Sequence, residues 1–361
     1  MIIIFSDRSL EPTMILLTIT CNIAFLATLF LTRLVKALAL RHGICAIPNQ
    51  RAVHQKMTPL LGGVAIYVAF LISFFVVLIF ADDGLHALVR ELTVFLTAGF
   101  LVVLLGIYDD VRGAHWFQKL LVQFFAGTII VLFGYKISVV INPFGGTLSL
   151  GVLSVPFTLL WIAGITNAIN LIDGLDGLAA GISFGAACVM VFVSLWFGNL
   201  ASAFPAAILA GSLAAFLIFN FNPAKIFLGD SGSLFLGFML ACFSINGTFR
   251  DSSAVAILIP IIVLGIPITD TFLAFFRRIR KKAHPFVADR EHIHHQLLNQ
   301  GLSQRQAVVM ISSVSYLWGV IAVVILISQS VYSFLLLLLV AAILIWGIKR
   351  LGYARYFAFR R

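Results

Sequence analysis

Residues 167–181 read NAINLIDGLDGLAAG, which sets two carboxylates, Asp173 and Asp176, and two amides, Asn167 and Asn170, among leucines, isoleucines and glycines. Four other stretches carry groups of the same kind: Asp109 and Asp110 in GIYDD, Asp230 in FLGDSGS, Asp270 in PITDT, and His292, His294 and His295 in REHIHHQ. Ionisable side chains in apolar surroundings are costly and tend to be functional. Several carboxylates without thiols suit a hard cation. Mg²⁺ in particular is held by one or two carboxylates together with the phosphate oxygens of a substrate. Imidazoles beside Arg290 fit an anionic partner, so the chemistry implied is phosphoryl transfer, with a metal neutralising the charge that develops in the transition state. Plainer readings exist for each piece. Asp109–Asp110 could be a solvated helix end, and Asp230 an N-cap for the apolar run that follows it. Gly174, Gly177 and Gly181 could serve helix packing alone. A zinc site at HIHH has no cysteine or HExxH pattern to support it, and RRIRKK at 277–282 reads most simply as a membrane anchor.

What must position these groups is set by composition. Of 361 residues, 61% are hydrophobic and 11% charged, and the mean hydropathy is +1.09. Soluble domains carry roughly 25% charged residues, so the chain reads as an all-α integral membrane protein. Spans need about 20 apolar residues each. That length gives a polytopic bundle of about 11 transmembrane helices at 14–38, 62–80, 91–108, 116–135, 154–172, 179–197, 201–219, 232–248, 253–276, 306–327 and 331–348. No repeat or low-complexity linker divides them, so residues 1–361 read as one transmembrane catalytic domain. Residues 137–153 alternate around a Pro/Gly turn and predict a short hairpin in an outer loop. The cysteines are scattered, with no CxxC pair, and suggest neither disulfides nor zinc. The first apolar run is too long for a cleavable signal.

An odd number of spans puts the termini on opposite sides, and positive charge chooses between them. With the N-terminus outside, Arg8, Arg90, Lys136 and Arg250 are the only outer ones of the 24 basic residues. The net charge of +10 is then a topological signal first, and nucleic acid is not an expected partner because no soluble basic domain is there to hold it. This orientation brings all five acidic, amide and imidazole segments to the inner face. Asn167, Asn170, Asp173 and Asp176 recur at every third residue, so on a helix they would follow one drifting stripe. In span nine, Pro260, Gly265 and Pro267 predict a bend or break, which would open a side groove for a lipid tail.

The motifs HQKMTPLLGG, GIYDD, NAINLIDGLDGLAAG, FNFNPAKIFLGDSGS and PFVADREHIHH occur in this order between about residues 40 and 305. Together they resemble the polyprenyl-phosphate N-acetylhexosamine-1-phosphate transferases (glycosyltransferase family 4). The HIHH form preceded by PFVADR is similar to the WecA/TagO-like branch. The branch that transfers phospho-MurNAc-pentapeptide has a longer glycine signature where this chain has MTPLLGG. The resemblance implies a bacterial inner-membrane enzyme with a cytoplasmic site. It would transfer N-acetylglucosamine-1-phosphate from UDP-GlcNAc to undecaprenyl phosphate, giving undecaprenyl-diphosphate-GlcNAc and UMP in the first membrane step of an envelope polysaccharide. Another UDP-HexNAc or UDP-MurNAc-pentapeptide is the alternative donor.

The resemblance also implies the cofactor and the residue roles. Mg²⁺, or Mn²⁺ in its place, would be held by Asp230 with Asp109 and Asp110, and the acidic pair would deprotonate or orient the lipid phosphate. Asp173, Asp176 and Asn170 match the central nucleotide and active-site motif. Phe227 would stack on uracil, with Asn220 as a polar contact nearby. Lys56 lies in a segment that carries a nucleotide-site lysine in relatives, although the flanking sequence departs. Arg290, His292, His294 and His295 match the loop that holds diphosphate and sugar. A homodimer is left open. A transporter is the rival from another class, but transporter sites lie near the bilayer midplane between repeats. Here the charges gather at one face.

Overall fold

The computed structural model describes residues 10–46, 57–80, 86–141, 147–246, 255–281 and 291–328, with a few positions between 336 and 343. Lys56 and Arg290 lie outside the described residues, as does most of the eleventh expected span.

The chain begins with α1 (Leu10–Arg41) and a small hairpin of β1 (Cys45–Ala46) and β2 (Thr58–Pro59), followed by α2 (Gly62–Phe80), α3 (His86–Arg112) and α4 (Trp116–Leu132). A second hairpin joins β3 (Val139–Ile141) to β4 (Thr147–Ser149) ahead of a single 3-10 turn, Gly151–Leu153. Next come α5 (Ser154–Ile172), α6 (Leu178–Trp196), α7 (Leu200–Asn220) and α8 (Gly229–Asn246). The chain then forms α9 (Val255–Val263), α10 (Gly265–Arg280), α11 (Ile293–Asn299) and α12 (Gln304–Ser328). Helices dominate because they satisfy their backbone hydrogen bonds internally, which hydrocarbon demands. Among the described residues seven helices are long and apolar enough to cross a membrane, and α4 and α8 are shorter apolar ones. The fold is that of an all-α polytopic membrane protein. Leu26, Phe30, Phe80, Phe125 and Leu132 are exposed, as side chains facing lipid would be.

The expected hairpin is present and antiparallel, with Val140 opposite Leu148. The expected break in span nine falls at Leu264, between α9 and α10. Pro267 sits in the first turn of α10, where a missing N–H costs least.

The inner connection carrying the histidines contains a short helix, α11, at 293–299. One expectation is corrected: the three-residue stripe does not run through Asp176. Helix α5 stops at Ile172, Asp173 is its C-cap, and Gly177 starts α6 at φ +81°. A left-handed φ suits glycine and no β-branched neighbour. Only Asn167 and Asn170 therefore share the α5 face, and Asp173 and Asp176 lie in the turn.

At the centre, α8 packs against α2, α3 and α5, and Leu234, Phe235, Phe238 and Met239 on it are fully buried. Where α2 and α3 cross its first turn, glycines bring backbone against backbone. A Cβ on Gly63 would collide with the main chain of Ser231 and Gly232, and one on Gly106 with the main chain of Asp230 and Ser231. Glycine is what lets three helices converge there.

Candidate active site

The last turn of α3 carries Asp109 and Asp110. Asp110 accepts hydrogen bonds from the backbone N–H groups of Asp230 (2.8 Å) and Ser231 (3.1 Å). The acceptor that caps α8 is thus a carboxylate from another helix, placed where the positive end of the helix dipole favours an anion. This corrects the reading of Asp230 as the N-cap. Gly229, at φ +72°, has its missing Cβ filled by the Asp110 carboxylate.

Freed from capping, the Asp230 side chain turns to its neighbours. Its Oδ1 accepts from Asn170 Nδ2 at 3.1 Å, and Asn170 also donates to Ser233 Oγ at 2.9 Å. Its Oδ2 accepts from Lys119 Nζ at 2.5 Å. Lys119, in the first turn of α4, pairs with Asp109 as well, and Asp109 Oδ1 accepts from the Ala114 N–H at 2.5 Å. One ammonium therefore joins two carboxylates from α3 and α8. Sequence reasoning missed Lys119. The available signal was its place ten residues after Asp109, at the start of the next helix and on the same face of the bilayer.

These groups meet beside a cavity of about 330 Å³ lined by Asp110, Asp173, Asp176, Asn220, Phe227, Asp230 and His295, with Leu60 and Gln304 at its walls. Five chain segments predicted to share one face do converge. Asp173 faces the cavity, and burial, with Asp230, Asp110 and Asp176 adding to it, holds its carboxyl well above the usual carboxylate range. Asp176 is committed elsewhere on one oxygen: its Oδ2 accepts from Asn222 Nδ2 and from the Ala224 N–H, both at 3.0 Å. It thereby shapes the loop that presents Phe227. That loop is also stitched to the β2 segment, since the Phe227 N–H donates to Pro59 O (2.8 Å) and Gly62 and Gly63 donate to Phe227 O and Leu228 O. Buried Asn220 donates to Ile226 O at 3.0 Å, while its Oδ1 is buried without a partner. Asn167 is not part of the cavity lining and ties α5 to Gln123 of α4 at 2.7 Å.

The histidines close the other wall. His292 bonds Asp270 of α10 at 2.9 Å, and its ring stacks on that of His294 with centroids 5.8 Å apart and planes 2° from parallel. His294 packs at Gly174, where a Cβ would collide with Nε2. Burial, reinforced by His295, pushes the His294 imidazole down to about 3. It is therefore neutral at any pH near 7, a hydrogen-bonding group and not a fixed cation. Gly174→Ala drives a methyl into that ring and is expected to lower turnover by about tenfold or more, since small misplacements at a reacting centre are costly. Turnover within twofold of wild type would show that the ring need not sit there.

The donors at the cavity suit Mg²⁺. Those facing it from Asp173 and Asp230 are oxygens, and the buried Asn220 oxygen awaits a partner. Among the described residues no cluster of three or more His, Cys, Asp or Glu has metal-binding geometry. Mg²⁺ does not require such a cage, because it keeps waters and takes substrate phosphates. The crowding at Asp173 gives a test. A carboxyl raised in the folded state binds its proton more tightly than in the unfolded chain. It therefore lowers stability as pH rises above the unfolded value of about 3.9. Asp173→Asn should raise the melting temperature at pH 7 without divalent ions, with the gain vanishing toward pH 4. Mg²⁺ should stabilise wild type more than the variant, which keeps Asp230 but lacks the second carboxylate. Equal melting curves at both pH values would contradict this.

The fold is a polytopic helical bundle in which carboxylates, a lysine and an imidazole gather around one cavity. Comparison with known proteins gives the class, a membrane-embedded transferase. A family profile described as Glycosyl transferase family 4 matches residues 92–248. The chain is 37% identical over 316 residues to a probable undecaprenyl-phosphate N-acetylglucosaminyl 1-phosphate transferase of Bacillus subtilis, covering 87% of this chain and 86% of that one. It is 36% identical to a decaprenyl-phosphate N-acetylglucosaminephosphotransferase of Mycolicibacterium smegmatis, covering 83% and 79%. It is 28% identical to the undecaprenyl-phosphate alpha-N-acetylglucosaminyl 1-phosphate transferase of Escherichia coli K12, covering 90% and 88%. The chain belongs to glycosyl transferase family 4, the polyprenyl-phosphate hexosamine-1-phosphate transferases.

Proposed function

We propose that this protein transfers N-acetylglucosamine-1-phosphate from UDP-GlcNAc to undecaprenyl phosphate in the bacterial inner membrane, with the site and the C-terminus cytoplasmic. An oxygen of the lipid phosphate forms a bond to the β-phosphorus of the donor. The bond from that phosphorus to the bridging oxygen breaks, and UMP leaves with the electron pair. One pyrophosphate-type linkage replaces another, so the step is near balanced and the protein's task is to position charge. A phosphate oxygen is already a competent nucleophile, so no Ser/His/Asp constellation is needed.

The observation that carries this reading is the convergence of Asp109, Lys119, Asn170, Asp173 and Asp230 from four separate segments beside one cavity. Asp230 and Asp173 would hold Mg²⁺, which when bound supplies charge neutralisation to the diphosphate. Asp110 fixes the start of α8. Lys119 balances Asp109 and Asp230 and leaves Asp109 beside the incoming lipid phosphate. Phe227 would offer a face for uracil, and Asn220, which lines the same cavity, would make a polar contact to the nucleotide. His294 and His295 bind the diphosphate and sugar from the α11 side. A site at the helix ends suits a lipid phosphate confined to the headgroup plane.

The deciding experiment is purified protein with undecaprenyl phosphate, Mg²⁺ and a panel of UDP-sugars, scored for UMP. UDP-GlcNAc should give the highest kcat/KM, and chelation of the divalent ion should stop release. Preference for UDP-MurNAc-pentapeptide would overturn the choice of donor.

A further inference from the structure

Asp270 is the buried acid of α10 that the roles above leave unused. It is 1% exposed, and both of its oxygens are engaged by the first residues of α11. Oδ2 meets His292 Nδ1 at 2.9 Å, and Oδ1 accepts from the backbone N–H of Ile293 at 3.0 Å. A carboxylate on the opening N–H groups of a helix is favourable both as a hydrogen bond and against the dipole. Two helical turns further along α10, on the same side, Arg277 Nε lies 3.8 Å from Glu291 Oε2, and Lys281 bonds Glu291 at 2.8 Å. Helix α10 thus grips residues 291–293 at two heights. From there the ring of His292 stacks on His294, and that of His294 lies 4.3 Å from His295 at the cavity.

We infer that Asp270 is a positioning residue for the transfer reaction: by fixing His292 and the first turn of α11, it sets where His294 and His295 stand. The inference rests on the phosphoglycosyl-transfer reading for its kinetic consequence, though not for its structural one. Its contact with His292 selects the ring nitrogen that faces it. A buried carboxylate with two oxygens on two adjacent residues is a stronger constraint than helix packing alone. The short α11, only 293–299, has little propensity of its own to hold its start in place.

The experiment uses the full-length protein in lipid nanodiscs and two variants. Asp270→Asn keeps an oxygen for the Ile293 N–H but presents an amide to His292. By comparison with other carboxylate–imidazole pairs it is expected to lower kcat between about 10- and 100-fold. KM for the UDP-sugar should stay within about threefold. In the His292→Gln background the same change should add less than about twofold, since the two residues act as a unit. Asp270→Ala removes both bonds, and hydrogen exchange at Ile293 and His294 should quicken by about tenfold or more while α3 and α8 stay protected. Additive losses in the double variant, or unchanged exchange in Asp270→Ala, would overturn the inference. If wild-type protein released no UMP from any UDP-sugar, the reaction reading would fall. The exchange result would still decide whether Asp270 holds α11.

Discussion

Asp230→Asn is expected to lower UMP release by on the order of 10²–10³-fold, the loss typical when a charge that stabilises a transition state is removed. The variant amide can keep its oxygen toward Asn170, but its NH₂ then faces Lys119, so a donor meets a donor where an ion pair stood. The fold should survive. What anchors the start of α8 is the backbone N–H of residue 230 on Asp110, and that does not depend on the side chain. The measurement is kcat and melting temperature on the same preparation: a large fall in the first with little change in the second. Turnover within threefold of wild type would remove Asp230 from any part in holding the metal.

Lys119→Met should cost on the order of 10²-fold or more, for a different reason. It leaves Asp109 and Asp230 facing each other with no ammonium between them, in a site that must then accept a diphosphate and a lipid phosphate. Anions are repelled, so turnover falls. A divalent cation is attracted more strongly, so half-saturating Mg²⁺ should fall too. A variant that merely misfolds would not tighten its metal dependence. If Lys119→Met keeps near-normal turnover, or needs more Mg²⁺, the pairing seen with Asp109 and Asp230 has no part in the chemistry.

The scaffold was readable because hydrocarbon leaves so few choices. The limits of α2 and α5 coincide with the apolar runs, and Pro260, Gly265 and Pro267 announced the interruption at Leu264. The site was readable in outline because acids and imidazoles are rare in such a chain. Its internal wiring was not. Lys119 looked like one more basic residue on a face that collects nearly all of them. The capping of α8 by Asp110 joins residues 120 apart in sequence, and no local spacing encodes it. Asp176 falls off the predicted stripe because α5 stops at Ile172 and Gly177, in the left-handed region, begins another helix. Helix α11 is a single short element whose start is held from α10, so periodicity over its few residues could not reveal it.

The meeting of Gly63, Gly106, Gly229 and Gly232 around the first turn of α8 has a consequence for how such enzymes can diverge. At that junction Gly63 and Gly106 press on the main chain of α8, Gly229 on the Asp110 carboxylate and Gly232 on Leu228, and even a methyl group has nowhere to go. The phosphate end of the site is therefore closed to gradual remodelling. The walls built from Ala46, Leu60 and Gln304 are side chains on a short strand, a loop and a helix end, so drift in donor preference has room there while the reacting centre stays as it is.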